Sequence, residues 1–263
     1  MKKLAFLLMT TAAMLAACGN GSTEDSSAVT ETGIKEHLVM GLDDTFAPMG
    51  FKDSKGEIVG FDVDLAKEVA KRLNVEITFQ PIDWAMKETE LNSGNIDLLW
   101  NGYTITDERK EKVLFSEPYL SNKQIIVTMA DSAIETKADL AGKVVATQQG
   151  SASVDAINAD TTGIVAQFKD GAPLLYPTFN DVFNDLESGR TDAIVVDEVL
   201  GRYTMKQKGA EKYKVLADNF GEEEYGVGMR KEDTALKAAI DKTMSEMKAD
   251  GTYEEIYSKW FAE

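Results

Sequence analysis

The segment Leu91-Asn92-Ser93-Gly94-Asn95-Ile96-Asp97-Leu98-Leu99 returns later in the chain as Leu186-Glu187-Ser188-Gly189-Arg190-Thr191-Asp192-Ala193-Ile194. Both copies read as the end of a helix, a glycine suited to closing it, then a strand opened by aspartate. Upstream of the first copy, Leu38 to Leu42 reads as a strand and Val63 to Leu73 carries helical spacing at Val63, Leu65, Ala66, Val69, Ala70 and Leu73. Val75 to Phe79 alternates like a strand. A helix is predicted over Met86 to Ser93, and Ile96 to Trp100 is a short apolar run of the buried parallel kind. Before the second copy, Lys143 to Thr147 reads as a strand and Ser153 to Asn158 begins a helix. This order predicts an α/β fold with parallel sheets. The recurrence predicts two lobes of similar build. A common αβ-loop composition could also recur by chance.

Charge and composition narrow the function. The 263 residues hold 28 Lys+Arg against 45 Asp+Glu, a formal charge of −17. A nucleic-acid binder needs a basic surface, so this balance argues against that class. It argues likewise against attachment to anionic lipid by surface charge. Hydrophobic residues make up 43% and charged residues 28%, ordinary for a soluble globular chain. The single cysteine forbids an intrachain disulfide and a multi-thiolate zinc site, and the single histidine, His37, argues against a His-dependent triad. No metal or cofactor is expected.

The amino-terminal segment bears on compartment. Lys2 and Lys3 precede an apolar stretch from Leu4 to Ala17, shorter than a comfortable membrane span and shaped like a secretory signal. It ends in Leu15-Ala16-Ala17-Cys18, which resembles a bacterial lipobox. Residues 1–17 therefore read as a lipoprotein signal peptide, with Cys18 lipidated by chains such as palmitate. An ordinary signal peptide with a chance cysteine is the alternative. Residues 18–33 are rich in Gly, Ser, Thr, Asp and Glu and read as a flexible linker.

Ligands of open α/β sheets bind beyond the carboxyl ends of the strands. After the strand ending near Trp100 come Asn101, Gly102, Thr104 and Arg109. Gly102 permits close backbone approach, and Arg109 can grip a carboxylate with two parallel hydrogen bonds. After Thr147 come Gln148 and a Gly150-Ser151-Ala152 turn whose N–H groups suit an anion. After Val196 comes Asp197, placed to receive an ammonium. Anion donors with a separate carboxylate suit the two charged ends of an α-amino acid. Taken singly, Arg109 reads equally as a solvated helix arginine beside Asp107 and Glu108, and Asp197 as a helix N-cap. Phe46 and Trp84 read first as core.

Several motifs resemble the polar amino-acid substrate-binding proteins of ABC importers, the bacterial solute-binding protein family 3. They are Gly60-Phe61-Asp62-Val63-Asp64-Leu65, Asn101 to Arg109, Phe115-Ser116-Glu117-Pro118-Tyr119, Asp139-Leu140-Ala141-Gly142-Lys143, and Gly251-Thr252-Tyr253 through Lys259-Trp260. The resemblance runs from about Ile34 to the carboxyl terminus. It implies a two-lobed, type II periplasmic-binding-protein-like fold, each lobe a mainly parallel sheet flanked by helices, joined by two hinge strands. Lobe one would combine 34–120 with 224–263; lobe two would be 121–223. The ligand carboxylate would meet Arg109 and the N–H groups of Thr104, Ser151 and Ala152. The ammonium would meet Asp197, the Gly102 carbonyl and the Thr104 hydroxyl. Phe46 and Trp84 would sandwich the side chain, and Asp43 would sit at its end. Met49-Gly50 and Trp100-Asn101 depart from the commonest family pattern and leave side-chain specificity open among Arg or Lys, Gln and cystine. The resemblance further implies a monomeric, lipid-anchored extracytoplasmic receptor that serves a membrane permease and is not an enzyme. A cleft enzyme resembling cyclohexadienyl dehydratase and a ligand-sensing lipoprotein without transport are the alternatives.

Overall fold

A computed structural model of the chain describes residues 33–262. The signal segment, Cys18 and nearly all of the expected linker lie outside the described residues. Strands β1 (His37–Leu42), β2 (Thr45–Phe46), β3 (Gly50–Lys52) and β4 (Ile58–Val59) precede helix α1 (Phe61–Leu73). Then follow β5 (Glu76–Pro81), α2 (Lys87–Asn92), β6 (Leu98–Leu99), α3 (Asp107–Lys112), β7 (Leu114–Phe115) and the long β8 (Leu120–Met129). The next elements are β9 (Val145–Gln148), α4 (Ala152–Asn158), β10 (Leu174–Tyr176), α5 (Phe179–Glu187), β11 (Ala193–Asp197) and α6 (Glu198–Lys208). The described chain closes with β12 (Tyr213–Tyr225), β13 (Gly228–Met229), α7 (Thr234–Asp250) and α8 (Thr252–Phe261).

Two five-stranded sheets form, in the orders β5-β1-β6-β13-β7 and β10-β9-β11-β8-β12. Each has a parallel trio, β5-β1-β6 and β10-β9-β11. The remaining strands enter antiparallel, because the chain reaches them from the opposite direction. Strands β8 and β12 pair from Leu120↔Tyr225 through Glu222↔Lys123 and onward, so the two passages between lobes run side by side. A small antiparallel sheet of β2, β3 and β4, which the sequence pattern did not announce, covers the approach to α1.

The repeated segment folds alike in both copies. Gly94 and Gly189 have φ of 81° and 73°, the left-handed conformation that closes a helix. The N–H of Gly94 reaches the Leu91 carbonyl at 3.1 Å, and that of Gly189 reaches Leu186 at 3.1 Å. Asp97 donates its N–H to the Val39 carbonyl at 2.7 Å, and its carboxylate accepts from the Val39 N–H at 3.0 Å. Asp192 does the same with Val144, at 2.9 and 2.7 Å. The aspartate therefore starts the strand by taking a ladder bond through its side chain. This also explains why β6 is shorter than the apolar run Ile96 to Trp100. Asp97 uses its carboxylate there, and the Ile96 carbonyl accepts from Arg230 at 2.8 Å.

Helix α1 buries Phe61, Val63, Leu65, Ala66, Val69 and Ala70 on one face, as its 3.6-residue spacing requires. Phe61 is central. Its ring meets Tyr119, Tyr253, Tyr257 and Phe261 with centroids 5.0–6.4 Å away, tying α8 to the first lobe. Phe61→Ala leaves a cavity among four rings and should cost about 3–5 kcal/mol. Urea unfolding followed by circular dichroism should show this as a lower midpoint.

Candidate functional site

The carboxyl ends of β1, β6, β9 and β11 converge between the lobes. Each supplies residues to one interface: Asp43 after β1, Asn101 to Arg109 after β6, Gln148 to Ala152 at the end of β9, and Asp197 closing β11. The walls touch. Gln148 Nε2 donates to Asp43 Oδ2 at 2.7 Å across the cleft. Phe46 meets Phe179 with centroids 5.8 Å apart. Gly150 packs on Ala85 so closely that an added Cβ would lie 3.0 Å from the Ala85 Cα.

Arg109 is not a solvated helix residue; it is 4% exposed. The Thr106 hydroxyl accepts from the Arg109 N–H at 3.1 Å and starts α3, which aims the side chain inward. Arg109 Nη1 donates to the Thr104 carbonyl at 3.1 Å, and Nη2 reaches the Gly150 carbonyl at 3.3 Å and Asp155 at 3.4 Å. Its guanidinium lies 4.9 Å from the Tyr103 ring centroid. Lys87 stands beside it and was not singled out from the sequence. Its ammonium donates to the Gly150 carbonyl at 2.8 Å, and burial followed by the neighbouring Arg109 charge depresses it to about 8. Two cations thus face the Gly150 turn. Burial raises the Asp155 carboxyl there as well.

The turn after β9 is only partly as expected. The Ser151 N–H makes a long 3.3 Å bond to the Gln148 carbonyl, and the Ser151 hydroxyl donates to the same oxygen at 2.8 Å. Ala152 begins α4, where first-turn N–H groups have no partner within the helix.

Opposite Arg109, Asp197 occupies the N-cap position of α6 but makes no capping bond with its side chain. Asn122 Oδ1 accepts from the Val199 N–H instead, at 3.3 Å. The Asp197 carboxylate is left to face the cleft, where Tyr225 Oη donates at 2.7 Å and Asn122 Nδ2 at 2.8 Å. Glu223 joins it. Its Oε1 accepts from Asn122 at 2.6 Å, Gln124 at 2.8 Å and the Thr104 hydroxyl at 3.0 Å. Burial and the adjacent Asp197 charge push Glu223 up to about 8, and burial raises Asp197 too. Among the described residues neither carboxylate forms a salt bridge.

Glu223 was missed because Glu222-Glu223-Glu224 looks like a solvated charge run. A period-2 signal was nonetheless present. On β12 Glu223 shares a face with buried Tyr225, while Glu222 and Glu224 point to solvent.

Other expected residues separate into two groups. Gly102 has φ of 58°, and a Cβ there would lie 2.8 Å from the Phe46 ring. Its N–H donates to Asp62 at 2.7 Å. Asn101 accepts from the Asp43 N–H at 2.9 Å and donates to the Gly50 carbonyl at 3.4 Å, so its amide holds the lobe-one backbone. Trp84 packs edge-on to Tyr103 at 5.8 Å within the first-lobe core. Phe46 faces the other lobe through Phe179. Asp43 accepts from the Thr45 N–H and hydroxyl at 2.9 and 2.7 Å, while burial raises its carboxyl. Gln148 Oε1 is buried without a hydrogen-bond partner.

Residues 38–263 match the family described as bacterial extracellular solute-binding proteins, family 3, and the chain belongs to that family. Curated relatives include the L-cystine-binding protein TcyJ of Escherichia coli, 32% identical over 95% of this chain and 91% of that protein. The histidine-binding periplasmic protein of Escherichia coli is 32% identical over 90% of this chain and 92% of its own length. A solved ABC uptake transporter substrate-binding protein from Streptococcus pneumoniae with bound histidine superposes with a TM-score of 0.84 and 39% identity, covering 87% of this chain and 93% of that one. The fold is accordingly the two-lobed type II periplasmic-binding-protein fold.

Gly150→Ala tests whether the cleft contact matters. The Cβ meets Ala85 backbone across the cleft, an overpacking worth about 1–3 kcal/mol. At a φ of 70° it also strains the turn by about 1 kcal/mol. Small-angle scattering with a saturating solute should show a more open average shape than wild type. Equal compaction of the two proteins would count against a closed form of this geometry.

Proposed function

We propose that this protein captures a free polar L-amino acid between its lobes, outside the cytoplasm, and presents it to the permease of an ABC importer. One observation carries the reading. Buried Arg109 at the end of one sheet faces a carboxylate pair, buried Asp197 and partly buried Glu223, that has no cation of its own among the described residues. A zwitterion supplies both missing charges: its carboxylate suits Arg109 with the Thr104, Ser151 and Ala152 N–H groups, and its ammonium suits Asp197 with the Gly102 carbonyl and Thr104 hydroxyl. The Thr104 hydroxyl donates its hydrogen bond to Glu223, so its oxygen lone pairs are what it offers an ammonium. The relatives reported above are binding proteins for cystine and histidine, which supports the same class of solute.

The side-chain end of the cleft is rich in acceptors. Asp43 and the unpartnered Gln148 Oε1 favour a ligand side chain bearing N–H donors, with Phe46 and Phe179 against its apolar part. That favours the amide, guanidinium or imidazole class over a side-chain carboxylate.

Lobe one would comprise 34–120 and 224–263 and lobe two 121–223, hinged where β8 and β12 run together. A ligand touching one lobe leaves half its charges solvated. Closure completes the contacts and removes water, strengthening each charged hydrogen bond, so the ligand shifts the population toward the closed form. Cys18, with acyl chains and the linker through residue 33, would hold the receptor at the outer face of the cytoplasmic membrane.

A thermal-shift screen over the twenty amino acids plus cystine tests the solute class. A solute at a hundredfold its Kd adds about 2.7 kcal/mol, about 5–10 °C for a chain of this size. No shift with any of them would remove the reading. Arg109→Ala should then weaken the best solute by roughly 2–5 kcal/mol, about 30-fold to several-thousand-fold in Kd by calorimetry.

A further inference from the structure

Asp197 and Glu223 share a buried corner that holds more negative charge than it can neutralise. Asn122 Nδ2 donates to both, at 2.8 and 2.6 Å, which places the two carboxylates side by side. The groups that donate to the pair are neutral: Asn122, Gln124, Thr104 and Tyr225. Two adjacent carboxylates largely withdrawn from water, with no cation beside them among the described residues, disfavour the doubly ionised state, which is relieved when one of them holds a proton.

We propose that Glu223 is a second carboxylate of the ammonium subsite, protonated in the empty protein, and that an arriving α-ammonium group displaces its proton to solvent. This rests on the amino-acid reading above and adds to it a proton coupled to capture. The step balances. A protonated Glu223 carboxyl and a ligand ammonium become a carboxylate–ammonium pair, and the carboxyl proton passes to buffer. No other bond is made or broken.

The surroundings fit that assignment. Glu223 lies on β12, where the lobes hinge, and its partners come from β8 and from Thr104 of the first lobe. Lys123 of β8 projects from the opposite strand face and pairs with Glu198 of α6 at 3.3 Å. Arg109 is held at the Thr104 carbonyl, and Tyr225 donates to Asp197. Asp62, which burial pushes up to about 7, is bonded within the first lobe to the Gly102 N–H and Tyr119. Its bonds do not cross the cleft.

The sign of the pH effect follows. Burial and Asp197 hold the empty Glu223 at about 8. Below that pH the ligand must displace a proton, so affinity falls as pH falls, by roughly tenfold per unit. The test uses calorimetry at about pH 7 in phosphate and in Tris, buffers of different ionisation enthalpy. The probe is whichever of L-glutamine, L-arginine and L-cystine gives the largest thermal shift. Wild type should release about one proton per ligand, and Glu223→Gln close to none. In protein labelled with ¹³C-glutamate, the infrared band of a protonated glutamic acid should vanish on ligand addition, a readout that needs no variant to fold. Binding without proton release, or equal release by Glu223→Gln, overturns the assignment while leaving amino-acid capture intact. Absence of binding to any amino acid removes both.

Discussion

A charge taken out of water must find an opposite charge or be neutralised, an acid by taking up a proton and a base by losing one, and this cleft holds ionisable groups of both signs on facing walls. Arg109 and Lys87 sit on one wall; Asp43, Asp197 and Glu223 occupy the rest. Ionised carboxylates and ammonium groups in a low-dielectric interior cost several kcal/mol each unless matched. The unliganded contacts match them only in part. Arg109 makes do with two carbonyls and a half-exposed Asp155, and the acid pair has amide and hydroxyl donors alone. A solute with both charges a few ångströms apart on one carbon relieves both walls together. Under the proposed function, that relief would supply the free energy for holding the lobes shut.

The scaffold places these groups because parallel strands deliver their loops to one end. The two copies of the helix–glycine–aspartate–strand unit set β6 and β11 into their sheets by the same hydrogen bonds. The loops that follow them then hold the arginine and the aspartate. Strands β8 and β12 run side by side where the chain passes between the halves. Glu223, on β12, touches hinge and first lobe through Asn122, Gln124 and Thr104. If Glu223 meets the ligand as proposed, ligand charge and hinge geometry would be linked through one side chain.

Much of the site consists of residues that hold others. Asn101 fixes the Asp43 backbone, Asp62 fixes Gly102, and Asn122 takes over the capping bond that would have occupied Asp197. These amides and acids sit next to the functional groups in sequence or on paired strands. Spacing alone does not separate such a supporting role from ligand contact for a polar residue near a strand end, Asn101 among them.

The local sequence determined the periodicities, the duplicated unit and the glycines with positive φ, because those depend on spacing and on backbone freedom within a few residues. It also marked Arg109, Gly102, Gln148 and Asp197, since each follows an apolar strand. Whether Arg109 is solvated and whether Asp197 caps its helix were undecided at that level, because the competing partners Asp155 and Asn122 are far away in the chain. Burial of Lys87 and the pairing of Glu223 with Asp197 were not legible in the local pattern. They arise only when β12 returns beside β8 and the lobes meet, which brings together side chains that no short window contains. Tertiary structure decided burial and pairing, because those depend on which groups exclude water from one another.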